Sequence, residues 1–407
     1  MNVSRYRLLF KKLSLKLKRA SGTPLDLLRL FFAEKPDSQE KQLIFVGTVM
    51  HARIARIAKW LKRHNKLSDY KFILICDHYR YSNKLTGDLF DEVHLYTNQI
   101  SLRYQLKKTK SNNSVYHLFG PPYDAIKIAL KHINLSKAFF DYQDLLVSNF
   151  GLNPPFDYMR EGLKVEQQVI SSVRGIICHS LELQSAKNHF GNFSTPSLYF
   201  PNYADNDAFI VPKNKFDQDN IHVVYAGSVY SAFRNSDYFG SSQLHWLIEL
   251  FEKQKIHFHI YPSPVNNQEE LVDYFILDEE CEYFHFHKSV SQKELGSTLA
   301  KYDFGILPFF NSKTKRIIDK RKYSTTLKLF NFIESGLPII VSEDVLFQEF
   351  LARKYNASIK VSEKDLANLK EVLSNINYQN MTEEIKKRRE ELSLQTHISS
   401  LVNFYFD

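Results

Sequence analysis

Two hydrophobic periods take turns along this chain. Short apolar runs at 42–49, 71–77, 91–96, 114–120 and 175–180 suit buried strands. Between them, at 51–64, 122–133, 161–173 and 181–190, apolar positions recur every three or four residues, the spacing of an amphipathic helix. A strand-like run at 137–144 and a short one at 197–202 complete this first series. Residues 202–219 are polar and read as a linker. The alternation then restarts, with strands at 221–228, 256–262, 282–287 and 303–309 and helices at 243–254, 267–277 and 291–302. Such alternation predicts parallel sheets with helices on both faces.

The stretch 322–342, KYSTTLKLFNFIESGLPIIVS, is the most regular unit. Leu327, Leu329, Phe330, Ile333 and Leu337 form an apolar face at helical spacing. Gly336 suits the left-handed position that ends a helix, and Pro338 bars continuation before a buried strand begins. Lys328, Asn331 and Glu334 recur on the polar side. A helix that starts at the carboxyl edge of a parallel sheet is where α/β proteins bind phosphates. An ordinary helix–strand unit carries the same pattern.

These elements predict an α/β protein with two Rossmann-like α/β domains facing a central cleft. A basic amphipathic segment and linker occupy 1–40. A first domain follows at 41–208 and a second at 209–378. A closing helix at 379–407 can cross back to the first domain. A chain of 407 residues is long enough for two such cores.

Charge narrows the partners. The net charge of +9 favours an anionic one: a phosphorylated small molecule, an acidic lipid surface or nucleic acid. Residues 1–20 hold seven basic side chains and no acidic one, with Tyr6, Leu9, Phe10, Leu13 and Leu17 on one side. That pattern predicts a helix in an anionic membrane interface, although a solvated arm or a helix docked on its own domain has similar composition. No apolar run is long enough to span a bilayer, and charges interrupt any signal-peptide core. The expected location is cytoplasmic, peripheral on the inner face of the membrane. The basic residues concentrate at 5–19 and 313–322 with no nucleic-acid-binding motif between, so no nucleic acid partner is expected. Three well-separated cysteines point to reduced core thiols. Without G-x-G-x-x-G, G-x-x-x-x-G-K-[ST] or G-x-S-x-G, dinucleotide, P-loop and hydrolase-elbow readings lose support.

Four places could carry chemistry. The strand ending in Gly227-Ser228 would let backbone amides approach a phosphate, with Arg234 six residues on. Lys313, Lys315, Arg316, Lys320, Arg321 and Lys322 form a basic loop just before the 322–342 unit. Gly47 and Thr48 end the first strand, and His51 follows as an orienting group or a helix cap. Asp141 and Asp144, at another strand end, could supply a general base or cap the next element.

On these residues the chain resembles GT-B glycosyltransferases of the group 1, family 4-like type that build bacterial surface glycans. Val224–Ser228 resembles the glycine loop that meets the donor diphosphate. Residues 303–308, DFGILP, resemble the family's "D-x-G-l-x-P" strand, and 328–338, KLFNFIESGLP, its "K-l-f-E-y-l-a-x-G-x-P" helix. Residues 166–180 and 200–203 are weaker echoes. The resemblance covers roughly 41–360. It implies a nucleotide-sugar donor on the second domain, a glycan or lipid-linked acceptor on the first, and retention at the anomeric carbon. No cofactor and no metal are required. By position, Gly227 and Ser228 would touch the diphosphate, Arg234 would be the basic residue after that loop, and Lys328 would stabilise the leaving group. Asn331 stands where the family carries its ribose-binding Glu, with Glu334 one turn on as the substitute. Were the reaction inverting, Asp141 or Asp144 would be the base. The departure at Asn331 leaves a second reading, a catalytically degenerate GT-B scaffold.

Overall fold

The computed structural model describes residues 23–31, 39–81, 88–211, 216–235, 239–264, 266, 268–310 and 319–407. The expected interfacial helix at 1–20 and the cations Lys313, Lys315 and Arg316 lie outside the described residues.

The apolar runs build two parallel sheets. The first contains β1 Gln42–Gly47, β2 Lys71–Asp77, β3 Glu92–Tyr96, β4 Ser114–Gly120, β5 Ala138–Tyr142, β6 Gly175–Cys178 and β7 Ser197–Tyr199. Its order is β3-β2-β1-β4-β5-β6-β7. The second contains β8 His222–Gly227, β9 His257–Pro262, β10 Phe284–Phe286, β11 Phe304–Leu307, β12 Ile339–Ser342 and β13 Ser358–Val361, in the order β10-β9-β8-β11-β12-β13. Every residue of β1 is buried, and so are those of β11 and β12. That is why these strands read as continuous apolar runs rather than alternating ones.

Both sheets reverse direction of growth beside their first strand. The chain leaves β1 toward β2 and β3, then returns to pair β4 with β1. It does the same at β8, which pairs with both β9 and β11. Neighbouring loops diverge at such a switch point and leave a crevice at the carboxyl edge. β1 ends at Gly47, just before Thr48, and β8 ends at Gly227, just before Ser228, so each pair sits at the carboxyl edge beside the switch point of its own sheet.

Several contacts tie the two halves and the segment between them. The helix Ala52–Lys62 points Arg56 at the second domain, where its guanidinium donates to both carboxylate oxygens of Glu334, at 2.6 and 2.9 Å, and to Asn331 Oδ1 at 2.9 Å. Lys59, one turn later, pairs with Asp205 at 2.5 Å. The region 202–219 is therefore less free than its polarity predicts. Ala204 and Asp205 are buried, and Trp60 Nε1 also donates to Asp205 at 3.0 Å. Finally, the helix Leu394–Phe406 lies against the first sheet, with Leu394, Ile398, Leu401 and Val402 in the core that contains Leu43 and Phe45. Its Tyr405 hydroxyl is 2.6 Å from Nδ1 of His117 on β4.

Candidate active site

A cleft of about 450 Å³ opens between the two carboxyl edges. His51, Arg53, Gln143, Asp144, His179 and Asn202 line it from the first domain. Ser228, Tyr230, Lys320, Arg321, Thr326 and Lys328 line it from the second.

The second wall is organised by the helix Leu327–Glu334. Thr326 caps its start, accepting from the Lys328 amide, and the first turn opens on the cleft. The partial positive charge of a helix N-terminus favours an anion there. Lys328 extends from this turn across the β8 loop. A Cβ at Gly227 would collide with its Cε, so glycine is what allows the lysine to lie there. Nζ stands 5.8 Å from the centre of the Tyr225 ring. Among the described residues Lys328 makes no ion pair. Burial draws its pKa below the usual lysine value, opposed by the field of Asp144. Ser228 lines the same cleft.

The first wall is mostly committed internally. Asp141 is fully buried and accepts from Arg53 Nε at 2.9 and 3.0 Å. His117 Nε2 lies 3.4 Å from its other side. Burial alone would raise its pKa, but Arg53 and His117 outweigh that and hold it at about 2. The expectation of Asp141 as an acceptor-side base fails here, because the carboxylate is walled off from the cleft. Asp144 is different. It stands exposed at the mouth, 2.6 Å from Lys320 Nζ, which holds its carboxyl well below the usual range. His51 precedes its helix but makes no side-chain cap, so the capping alternative is not observed. Its Nε2 lies 3.1 Å from the carbonyl oxygen of Pro121, and burial lowers its pKa. As a neutral ring that donates from Nε2, it keeps Nδ1 as an acceptor.

Five other expected residues lie elsewhere. Gly47 leaves space for the Phe119 ring, not for a ligand. Thr48 is buried, and its hydroxyl bridges the Pro122 carbonyl and the Ala125 amide. Asn331 and Glu334 face Arg56 rather than the cleft, so neither is free to hold a ribose in this arrangement. The physical reason is helical rotation: three-residue steps carry them down the helix and onto the domain interface. Arg234 is also out of place. It pairs with Glu270 and stacks on Tyr230 and Phe239, beside a smaller pocket of about 250 Å³. What sequence reasoning missed is His179, just past β6, whose Nδ1 lies 2.9 Å from the Tyr142 carbonyl oxygen. The polar pair ending the run GIICHS was the available signal.

A second pocket of about 540 Å³ adjoins the cleft on the first-domain side. Tyr123, Lys127, Leu146, Phe150, Met159 and Val165 line it, and Asp144, Asn149 and Lys320 belong to both cavities. Among the described residues no group of histidines, cysteines and carboxylates is arranged to hold a metal ion.

Two switch-point crevices facing one cleft, each at the carboxyl edge of a Rossmann-like sheet, decide the architecture. The chain has the GT-B fold. Solved structures with that architecture cover nearly all of it. The sucrose-phosphate synthase of Thermosynechococcus elongatus superposes with a TM-score of 0.63 at 10% identity, covering 90% of this chain and 98% of that one. A glycosyltransferase from Rickettsia africae gives 0.60 at 10% identity over 90% and 98%. Anabaena HepE in complex with UDP and glucose gives 0.59 at 10% identity over 90% and 98%. At these identities the likeness concerns the fold. In sequence, residues 251–403 match the glucosyltransferase 3-like, C-terminal domain. A comparison with curated proteins finds no significant match. The fold and the domain match agree on the architecture, and the domain match covers less than half of the chain.

Proposed function

We propose that the chain transfers a sugar from a nucleotide-sugar to a glycan or lipid-linked acceptor, with retention and without a metal, in surface polysaccharide or glycoconjugate synthesis. The observation that carries this reading is Lys328. It is a cation without an ion pair among the described residues, at a helix N-terminus, over a glycine loop, in the cleft between two Rossmann-like domains. A diphosphate supplies the missing counter-charge. In this reading 41–208 is the acceptor domain and 209–378 the donor domain. The pocket that shares Asp144 and Lys320 with the cleft takes the acceptor.

The chemistry asks little of a protein base. The bond from the anomeric carbon to the diphosphate oxygen breaks as the acceptor oxygen attaches on the same face. The acceptor proton passes to the departing phosphate oxygen. Lys328 and the amides of the helix start stabilise the charge that develops there. Ser228 donates to the diphosphate, and His51 Nδ1 accepts from a sugar hydroxyl. The reading also keeps the protein at the inner face of the membrane, held by residues 1–20.

Thermal-shift titration with UDP-, GDP-, CMP- and dTDP-sugars tests the donor site, because a ligand of the folded state raises the melting temperature. One class is expected to stabilise the chain, and turnover with it should give a product of retained configuration by NMR. An inverted product refutes retention. If no donor shifts the melting curve or turns over, the degenerate-scaffold reading replaces this one.

A further inference from the structure

One helix ahead of the first domain, docked against it, buries its acid and exposes three of its leucines. In Thr23–Phe31, Leu25, Leu27 and Leu28 are 54%, 52% and 58% exposed, whereas Asp26 is buried. Asp26 is held inward by Asn98, whose Nδ2 donates to Oδ2 at 2.6 Å. At the other end, Lys107 Nζ donates to the carbonyl oxygen of Leu30 at 3.1 Å. These two bonds tie the helix along its neighbour Gln99–Lys108 and fix which side faces out. Asn98 caps that neighbour just past the carboxyl end of β3. The leucines at the start of Thr23–Phe31 therefore stand toward the edge of the sheet on which the cleft opens.

An outward apolar face implies a cover. The chain just before it, residues 1–20, carries seven basic side chains and no acidic one. A second copy of a chain with net charge +9 would bring the same positive charge to the contact. Three leucines also cover far less than the roughly 1,000 Å² that a stable interface needs. An anionic bilayer fits both features: its headgroups attract the cations, and its acyl boundary takes the leucines.

We propose that Leu25, Leu27 and Leu28 are the surface that inserts into an anionic membrane, with residues 1–20 supplying the electrostatic attraction. This rests on the peripheral-membrane reading above and deepens it, since it assigns the apolar half of the contact to a folded helix tied to the first domain. That attachment turns the cleft edge toward the bilayer, where a lipid-linked acceptor would arrive.

The test uses the full-length chain and sedimentation with vesicles of phosphatidylcholine alone or mixed with phosphatidylglycerol. The wild type should sediment with the mixed vesicles only. Leu25→Ser/Leu28→Ser should bind at least about 10-fold more weakly, since each loses its apolar contribution. Leu27→Trp should shift its emission to shorter wavelength when mixed vesicles are added. If the wild type sediments with neither vesicle, the inference and the membrane reading both fall. If the double variant binds as well as the wild type and the Leu27→Trp emission does not move, only the inference falls, and residues 1–20 hold the membrane alone. If the double variant instead abolishes a concentration-dependent dimer, the cover is a second copy and the inference is wrong. Should the double variant fail to fold, the Leu27→Trp shift decides.

Discussion

Gly47 and Gly227 occupy the same place in two copies of one design, and they make room for different things. Each ends the first strand of its sheet, at the switch point, facing the cleft edge. At Gly47 the space is filled by the ring of Phe119, a fully buried core residue. At Gly227 it is filled by the stem of Lys328, whose ammonium lies in the cleft. One glycine therefore makes room for a core ring and the other for a lysine that lines the cleft. The walls around them differ in the same sense. On the first domain, Arg53 and Asp141 neutralise each other in the interior. On the second, Lys328 stands without an ion pair among the described residues. The second wall keeps one lysine without an ion pair among the described residues, and the first spends the charge of Arg53 and Asp141 on structure.

Substitutions can break this comparison. The largest effect is expected from Lys328→Ala, which should lower turnover by about 100-fold with little change in melting temperature, as for loss of one preorganised charge-stabilising group. Steady-state kinetics and a thermal melt on the same sample check it. If turnover stays at the wild-type level, the donor side is misassigned. Next comes Gly47→Ala, which should destabilise the fold by about 1–3 kcal/mol, because a buried aromatic ring must move to admit the methyl group. Urea unfolding measures this, and the folded fraction should keep its specific activity. Gly227→Ala should cost stability too, because its φ of 159° strains any side chain. It also displaces the stem of Lys328, so the specific activity of the folded fraction should fall about 10-fold, or about 1.4 kcal/mol in barrier. Equal behaviour of the two alanine variants would end the distinction.

A fourth prediction sharpens the contrast between the sheets. On the second, His222, His257, His259, His285 and His287 line one face, with hydrogen bonds of 2.9 Å for His222–His259 and His257–His285 and 3.0 Å for His259–His287. Each bond needs one proton shared between two nitrogens, so a second proton would set N–H against N–H. Burial, then the neighbouring rings, lowers the pKa of His259 to about 2, and burial also lowers those of His257, His285 and His287. A base whose pKa is depressed in the folded state keeps its full stability above its unfolded value near 6.5. It loses stability as pH falls below that, because the unfolded chain then binds more protons. His259 alone should contribute a slope of up to about 1.4 kcal/mol per pH unit below pH ~6.5. Unfolding curves between pH 7 and 5 measure it, and His259→Phe should flatten it. The smallest effect is expected from Arg234→Ala. It should change turnover by less than about 3-fold, because its partner Glu270 is an exposed pairing of at most about 1 kcal/mol. A larger loss would bring the pocket beside Ser228 into the donor site.

Much of the fold was legible because its signals are local. A buried strand of a parallel sheet is a continuous apolar run, and Leu43 to Val46 show one directly. Gly336 adopts φ of 73°, and the strand Ile339–Ser342 follows, as the Gly–Pro spacing predicts. The alternation of such elements requires little more than the chemistry of each segment in turn.

The duties of the polar residues depended on partners far away in the chain. Asn331 and Glu334 looked like ribose ligands until Arg56, 275 and 278 residues distant, took them for the domain interface. Asp141 looked like a base until Arg53, 88 residues away, closed over it. Arg234 was drawn aside by Glu270. The amino-acid order alone determined two α/β layers, their glycine-ended first strands and a basic helix start. The tertiary structure decided which charges are neutralised and which remain for a ligand. Apolar patterning is written in neighbouring residues, whereas a charge acquires its role from whatever the fold places within hydrogen-bonding distance.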